Sequence, residues 1–130
     1  MRILLGIVAG IVVAVVCVMA IEALGHTLYP PPPGIDLTDP AHVERLMATL
    51  PAGAFVAVVA GWFIGALAGA STANLIARRA FAGWIVAGLV ICGGVATMLM
   101  IPHPAWMWVA GIALPIVAAW PAQRFAAAAR

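Results

Sequence analysis

Four long apolar runs constrain the fold of this chain more than any other feature. They occupy residues 3–24, 52–77, 80–101 and 105–125, and a membrane-spanning helix needs about 20 predominantly apolar residues. Only 8% of the 130 residues are charged and the mean hydropathy is +1.18, whereas soluble domains carry about 25% charged residues. We therefore predict an all-α, polytopic membrane protein whose four transmembrane helices form one bundle and one domain.

The distribution of arginine predicts how the helices are oriented. If four spans alternate in direction, all the cations but one fall on the same side of the membrane: Arg2, Arg78, Arg79, Arg124 and Arg130. Cytoplasmic segments carry the excess of positive charge, so both termini are predicted to be cytoplasmic. The net charge of +2 is small and dispersed, which argues against a nucleic-acid partner.

The outer loop at residues 25–51 contains its own structural signals. Pro30–Pro33 favour a stiff polyproline II segment. Asp39 and Pro40 are typical of a helix N-cap and its first residue. Apolar residues then recur at helical spacing, namely Val43, Leu46, Met47 and Leu50. This pattern predicts a short amphipathic helix over residues 40–50 that lies on the outer membrane surface.

Small residues form a regular pattern in the second span. They occupy every fourth position, at Gly53, Ala57, Gly61, Gly65, Gly69, Ala73 and Ala77. Gly6 and Gly10 repeat this spacing in the first span, as do Gly88, Cys92 and Ala96 in the third. Such stripes let helix backbones approach closely in lipid. They predict either packing within one bundle or a face for a second copy or a partner membrane protein.

Polar residues gather at the outer ends of the spans. Glu22 and His26 are four residues apart and share a face if the helix continues through Gly25, although Gly25 is also a typical helix terminator. The predicted topology places all three histidines and all four acids on the outer side. The candidate site therefore comprises Glu22, His26, Tyr29, Asp36, Asp39, His42 and His103.

Three interpretations of this candidate site remain open. The side chains can simply meet lipid headgroups and water. They can bind a divalent metal such as zinc, copper or iron through Glu22, His26 and His103, with a fourth ligand from His42, Asp36 or Asp39. They can form a cation-binding or proton-coupled transport site, because Glu22 is the only acid attached to a span. Small multidrug resistance transporters are similar in size and helix count, and also carry a glutamate in their first helix.

The sequence contains no recognisable catalytic set. Ser71 is the only serine, and the predicted topology places it on the opposite side of the membrane from every histidine. A serine–histidine pair within one chain is therefore excluded, and we predict that the protein is not an enzyme. Thr72 and Asn74 are expected to have structural roles. Trp62, near the middle of the second span, is expected either to pack or to line a pocket.

Three short patterns carry a family resemblance: E-x-x-G-H-x-x-Y-P at 22–30, P-G-x-D at 33–36 and I-P-H-P-x-W at 101–106. Together they resemble a group of small bacterial four-helix integral membrane proteins that have no established function. The resemblance covers nearly the whole chain. It implies a location in the bacterial inner membrane and implies no activity.

These observations predict a small non-enzymatic membrane protein that acts through helix packing, as a homo-oligomer or as an accessory subunit of a membrane complex. No resident cofactor is predicted apart from the candidate metal. The alternative is a metal, cation or small-molecule site at Glu22, His26 and His103.

Overall fold

The computed structural model describes residues 1–128 and contains, within them, five α-helices and no strand. Four helices are long and apolar enough to cross a membrane: α1 (Arg2–Leu28), α3 (Ala52–Ala77), α4 (Ala80–Met100) and α5 (Ala105–Ala128). The short helix α2 (Pro40–Thr49) lies between α1 and α3. The predicted all-helical class with four long apolar helices is therefore confirmed.

The first helix is longer than predicted. It runs to Leu28 instead of residue 24, and Gly25 lies inside it. The backbone N–H of Tyr29 still donates a hydrogen bond of 2.8 Å to the Gly25 carbonyl oxygen. Glu22 and His26 are therefore on one continuous helix.

Prolines end three of the helices, because a proline forces the residue before it out of helical geometry. Tyr29 before Pro30 has φ −128° and ψ 69°. Leu50 before Pro51 ends α2 at Thr49, and Ile101 before Pro102 ends α4 at Met100. The last two ends fall one residue short of the predicted bounds. Helix α5 instead continues three residues past the predicted end at 125, through an alanine-rich turn.

Helix α3 is the centre of the bundle. It packs against α1, α4 and α5, while α1 also touches α4. Within residues 1–128, α1 and α5 do not contact each other. We call the end of the bundle at residues 78–79 the arginine end and the opposite end, with residues 25–51 and 101–104, the loop end. Buried apolar residues form one cluster around Val86 and another around Trp62, nearer the loop end.

The glycines of α1 and α3 bring the two backbones into contact. A Cβ atom added to Gly10 would lie 2.6 Å from the carbonyl oxygen of Gly69, and one added to Gly69 would lie 2.6 Å from that of Gly10. Gly6 and Gly65 meet backbone atoms of the facing helix in the same way. Gly61 faces Ile21 of α1 and Gly53 lies beneath the Tyr29 hydroxyl, so these small residues pack within the chain.

Two buried side chains join the three helices α3, α4 and α5. Trp62 is 4% exposed and its ring occupies a slot over Gly94 and Gly111. Near the arginine end, the Asn74 amide nitrogen donates to the Ala122 carbonyl oxygen over 2.9 Å, and its oxygen accepts from the Gly83 N–H over 2.7 Å. Each of these side chains therefore fixes the central helix against its two neighbours.

The short helix α2 covers part of the loop end. Leu46 is buried, and Met47 and Leu50 pack against the cluster that contains Phe55 and Trp62. Part of the apolar face of α2 is thus covered by the protein itself.

Candidate functional site

A groove between α1 and α4 contains one of the predicted site residues, Glu22, in its lining. It has a volume of about 420 Å³. We call it the α1–α4 groove, and its walls are formed by Ile11, Ala14, Val15, Val18, Met19 and Glu22 of α1, by Val86, Leu89, Val90, Gly93, Gly94 and Thr97 of α4, and by Trp62 of α3. The walls are therefore almost entirely apolar.

Helical spacing explains why Glu22 lies in this groove. Ile11, Val15, Met19 and Glu22 are separated by four, four and three residues, so they form one stripe along α1. The stripe is apolar until its last member, which is at the loop end of the groove. Glu22 is half-buried there, and Thr97 is the polar residue that α4 contributes.

The Glu22 carboxylate has no partner side chain among residues 1–128: it takes part in no hydrogen bond and no ion pair. The Thr97 hydroxyl donates to the Gly93 carbonyl oxygen over 3.0 Å, which leaves its oxygen free to accept. His26 follows one turn later on α1 and is exposed, without a hydrogen bond or ion pair to Glu22. Glu22 and His26 therefore share a helix but do not bond to each other.

His103 belongs to a different part of the loop end. Its Nδ1 atom lies 2.6 Å from the Ile101 carbonyl oxygen, which closes the turn between α4 and α5. Its ring meets Phe55 edge-on, with centroids 6.2 Å apart and an interplanar angle of 69°. The imidazole is half-buried and is held by these local contacts.

Asp36, Asp39 and His42 form a third, separate cluster that organises the loop between α1 and α3. Asp36 accepts bonds from the Thr38 hydroxyl over 2.6 Å and from the Thr38 N–H over 2.8 Å. These bonds, the hydroxyl first, lower the pKa of the Asp36 carboxyl from its usual 3.8. Asp39 caps α2 by accepting from the Ala41 N–H over 2.9 Å.

His42 connects the two aspartates of this loop cluster. Its Nδ1 atom accepts from the Asp36 N–H over 3.3 Å and lies 3.9 Å from an Asp39 carboxylate oxygen. Tyr29 is apart from the cluster, with its hydroxyl against Gly53 of α3. The acids and the histidine of the loop cluster therefore hold a turn and a helix start.

The predicted site residues are thus divided among the groove, the exposed His26, the contact of Tyr29 with Gly53, the turn at His103 and the loop cluster. Within residues 1–128, no three histidine, cysteine, aspartate or glutamate side chains are grouped to hold a metal ion. Of the proposed metal ligands, Glu22, His26 and His103, only Glu22 lines the groove.

Thr97 and Gly93 are among the groove-lining residues that were not part of the predicted site. A signal for Thr97 was present, since Glu22 and Thr97 are polar residues near the loop end of two helices that run in the same direction. Their proximity depends on α1 packing beside α4, which the sequence did not indicate.

Comparison with protein-family models, with curated proteins and with solved structures gave no match.

Proposed function

We propose that this chain is a small, non-enzymatic integral membrane protein that acts through helix association, as a homo-oligomer or as an accessory subunit of a membrane complex. The observation that supports this is the open face of α4. A Cβ atom added to Gly88 would meet nothing within 4 Å, and Cys92 and Ala96, which follow it at four-residue spacing, are exposed. Small residues on an exposed face suit close approach of another membrane helix.

We further propose that the protein is inserted in the bacterial inner membrane with both termini in the cytoplasm. The arginine distribution supports this orientation, and the family resemblance supports the location. Large apolar side chains of α1 are exposed on the surface of the bundle, which suits contact with lipid. Leu4, Val12 and Val16, for example, are 66%, 56% and 59% exposed. In this orientation α2 lies at the non-cytoplasmic surface of the inner membrane.

Disulfide cross-linking through Cys92 tests the proposed association. The Cys17→Ser variant keeps Cys92 as its single thiol, because these are the two cysteines of the chain. Oxidation in native membranes is expected to give a covalent dimer on a non-reducing gel. A disulfide requires Cβ atoms about 3.8 Å apart, so the product would report facing α4 helices.

A matched control separates association from random collision. The variant with Cys17→Ser, Cys92→Ser and Ala113→Cys carries its single thiol on an exposed position of α5. We expect much less dimer from this variant. Equal cross-linking of the two variants would contradict a homo-oligomer formed through α4. A co-purifying partner of different mass in native mass spectrometry would then identify an accessory subunit.

A second candidate function is the binding of a cation or small molecule at Glu22, which the position of Glu22 in the α1–α4 groove supports. The groove walls below Glu22 are apolar. They suit an apolar ligand body better than a path for hydrated cations or protons. Binding is therefore a better candidate for this groove than proton-coupled transport.

A further inference from the structure

We propose that the α1–α4 groove binds a phospholipid with a primary ammonium headgroup. The ammonium would contact the Glu22 carboxylate and an acyl chain would lie along the apolar walls. This inference rests on the second candidate function and is independent of association through α4.

The position of Glu22 along α1 matches the depth of lipid headgroups. Glu22 is 20 positions after Arg2, or about 30 Å along the helix at 1.5 Å per residue. The hydrocarbon core of a bilayer is also about 30 Å thick. With Arg2 at one boundary, Glu22 lies at the other. Thr97 is 18 positions after Arg79, which places it at a similar depth.

The shape of the groove favours a lipid over a ligand that enters from water. Its rims are exposed side chains, since Val15, Met19 and Leu89 are 49%, 64% and 47% exposed. The groove is therefore open sideways, toward the acyl chains. Its floor is Trp62, and its volume of about 420 Å³ is within the usual range for ligand sites, about 300–1,000 Å³.

Charge complementarity selects the headgroup. Glu22 is the single charged residue of the groove, and no cation of residues 1–128 pairs with it. A carboxylate at the edge of a low-dielectric region gains most from an oppositely charged hydrogen-bond donor. A primary ammonium supplies that charge and three donor hydrogens, whereas an anionic headgroup without an amine would be repelled.

Native mass spectrometry from mild detergent can measure this preference. The full chain is mixed with equal amounts of phosphatidylethanolamine and phosphatidylglycerol that carry the same acyl chains. We expect the wild type to retain one phosphatidylethanolamine preferentially. In Glu22→Gln the preference should fall about tenfold, which corresponds to roughly 1.4 kcal/mol and to the loss of a charge-assisted bond.

Two further variants separate the groove from general effects. Glu44→Gln removes an exposed acid of α2 outside the groove and should keep the wild-type preference. Gly93→Leu should reduce binding of both lipids, because its side chain would occupy the groove. A thermal melt of each variant identifies any loss of fold. An unchanged preference in Glu22→Gln, or equal retention of the two lipids by the wild type, would overturn the proposal.

A soluble probe shows whether the lipid proposal alone is wrong or whether the proposed cation site at Glu22 is wrong as well. Tetraphenylphosphonium is a permanent apolar cation without a lipid headgroup. If it binds in a Glu22-dependent way while neither lipid is preferred, the lipid proposal is wrong and the cation site stands. If Glu22→Gln changes the binding of neither probe, both are wrong. The Cys92 cross-link is expected to be the same in Glu22→Gln, since it tests a different surface.

Discussion

At the residue scale, Asn74 shows how one polar side chain organises an apolar helix bundle. It is the one buried polar or charged residue among residues 1–128, and its amide bonds both α4 and α5. Its neighbours Ser71 and Thr72 instead return their hydroxyls to carbonyl oxygens of their own helix, over 2.6 and 2.8 Å. Asn74 therefore connects α3 to its neighbouring helices, whereas Ser71 and Thr72 form bonds only within α3.

Replacing Asn74 tests this role. Asn74→Leu removes both interhelical bonds and inserts a branched apolar group beside Gly83. We expect a loss of about 1 kcal/mol or more in the free energy of unfolding, since interhelical hydrogen bonds in membranes contribute about 0.6–2 kcal/mol. Unfolding in mixed micelles, followed by circular dichroism, measures it. Thr72→Val, which removes only a bond within α3, should lose less; equal losses would contradict the bridging role.

At the element scale, the attachment of α1 depends on backbone contact with α3. The crossing at Gly10 and Gly69 leaves no room for a Cβ atom, so the helices gain dispersion contacts along their backbones. Helix α1 also contributes the stripe that ends in Glu22. Its docking against α3 therefore sets the width of the α1–α4 groove as well as the stability of the bundle.

Substitution of Gly10 tests this attachment. Gly10→Ala places a methyl group 2.6 Å from a backbone oxygen, so the helices have to separate. We expect a loss of about 1–3 kcal/mol in the free energy of unfolding, typical of overpacking. Gly88→Ala is the matched control, because its methyl group would meet nothing within 4 Å. If both variants unfold alike, the close contact does not hold α1.

At the scale of the whole molecule, the proposed orientation predicts which ends can be labelled from outside the cell. In a variant with Cys17→Ser and Cys92→Ser, a thiol is added at Pro32 in the outer loop or at Ala127 near the end of α5. Both positions are exposed. We expect a membrane-impermeant maleimide to label Pro32→Cys in intact spheroplasts and Ala127→Cys only after permeabilisation. The reverse result would overturn the orientation and place the arginine end outside.

The position of the candidate site was only partly predictable. The spacing of Glu22 and His26 gives a shared helix face only if the helix continues through Gly25, and the structure contains that longer helix. Their different environments, one in the groove and one exposed, depend on which helices stand beside α1. The same holds for His103, whose place at the loop end follows from the order of the helices but whose contact with Phe55 depends on packing.

The sequence alone determined the four long apolar helices, because apolar length acts locally, and the prolines after α1, α2 and α4 constrain the residue directly before them. Tertiary structure decided which small-residue stripes are used. A stripe of period four fits several partner helices equally well, since small residues specify close approach and not the identity of the neighbour. Packing of the whole bundle placed the α3 glycines against α1, left Gly88 and Gly93 of α4 open, and thereby formed the groove that holds Glu22.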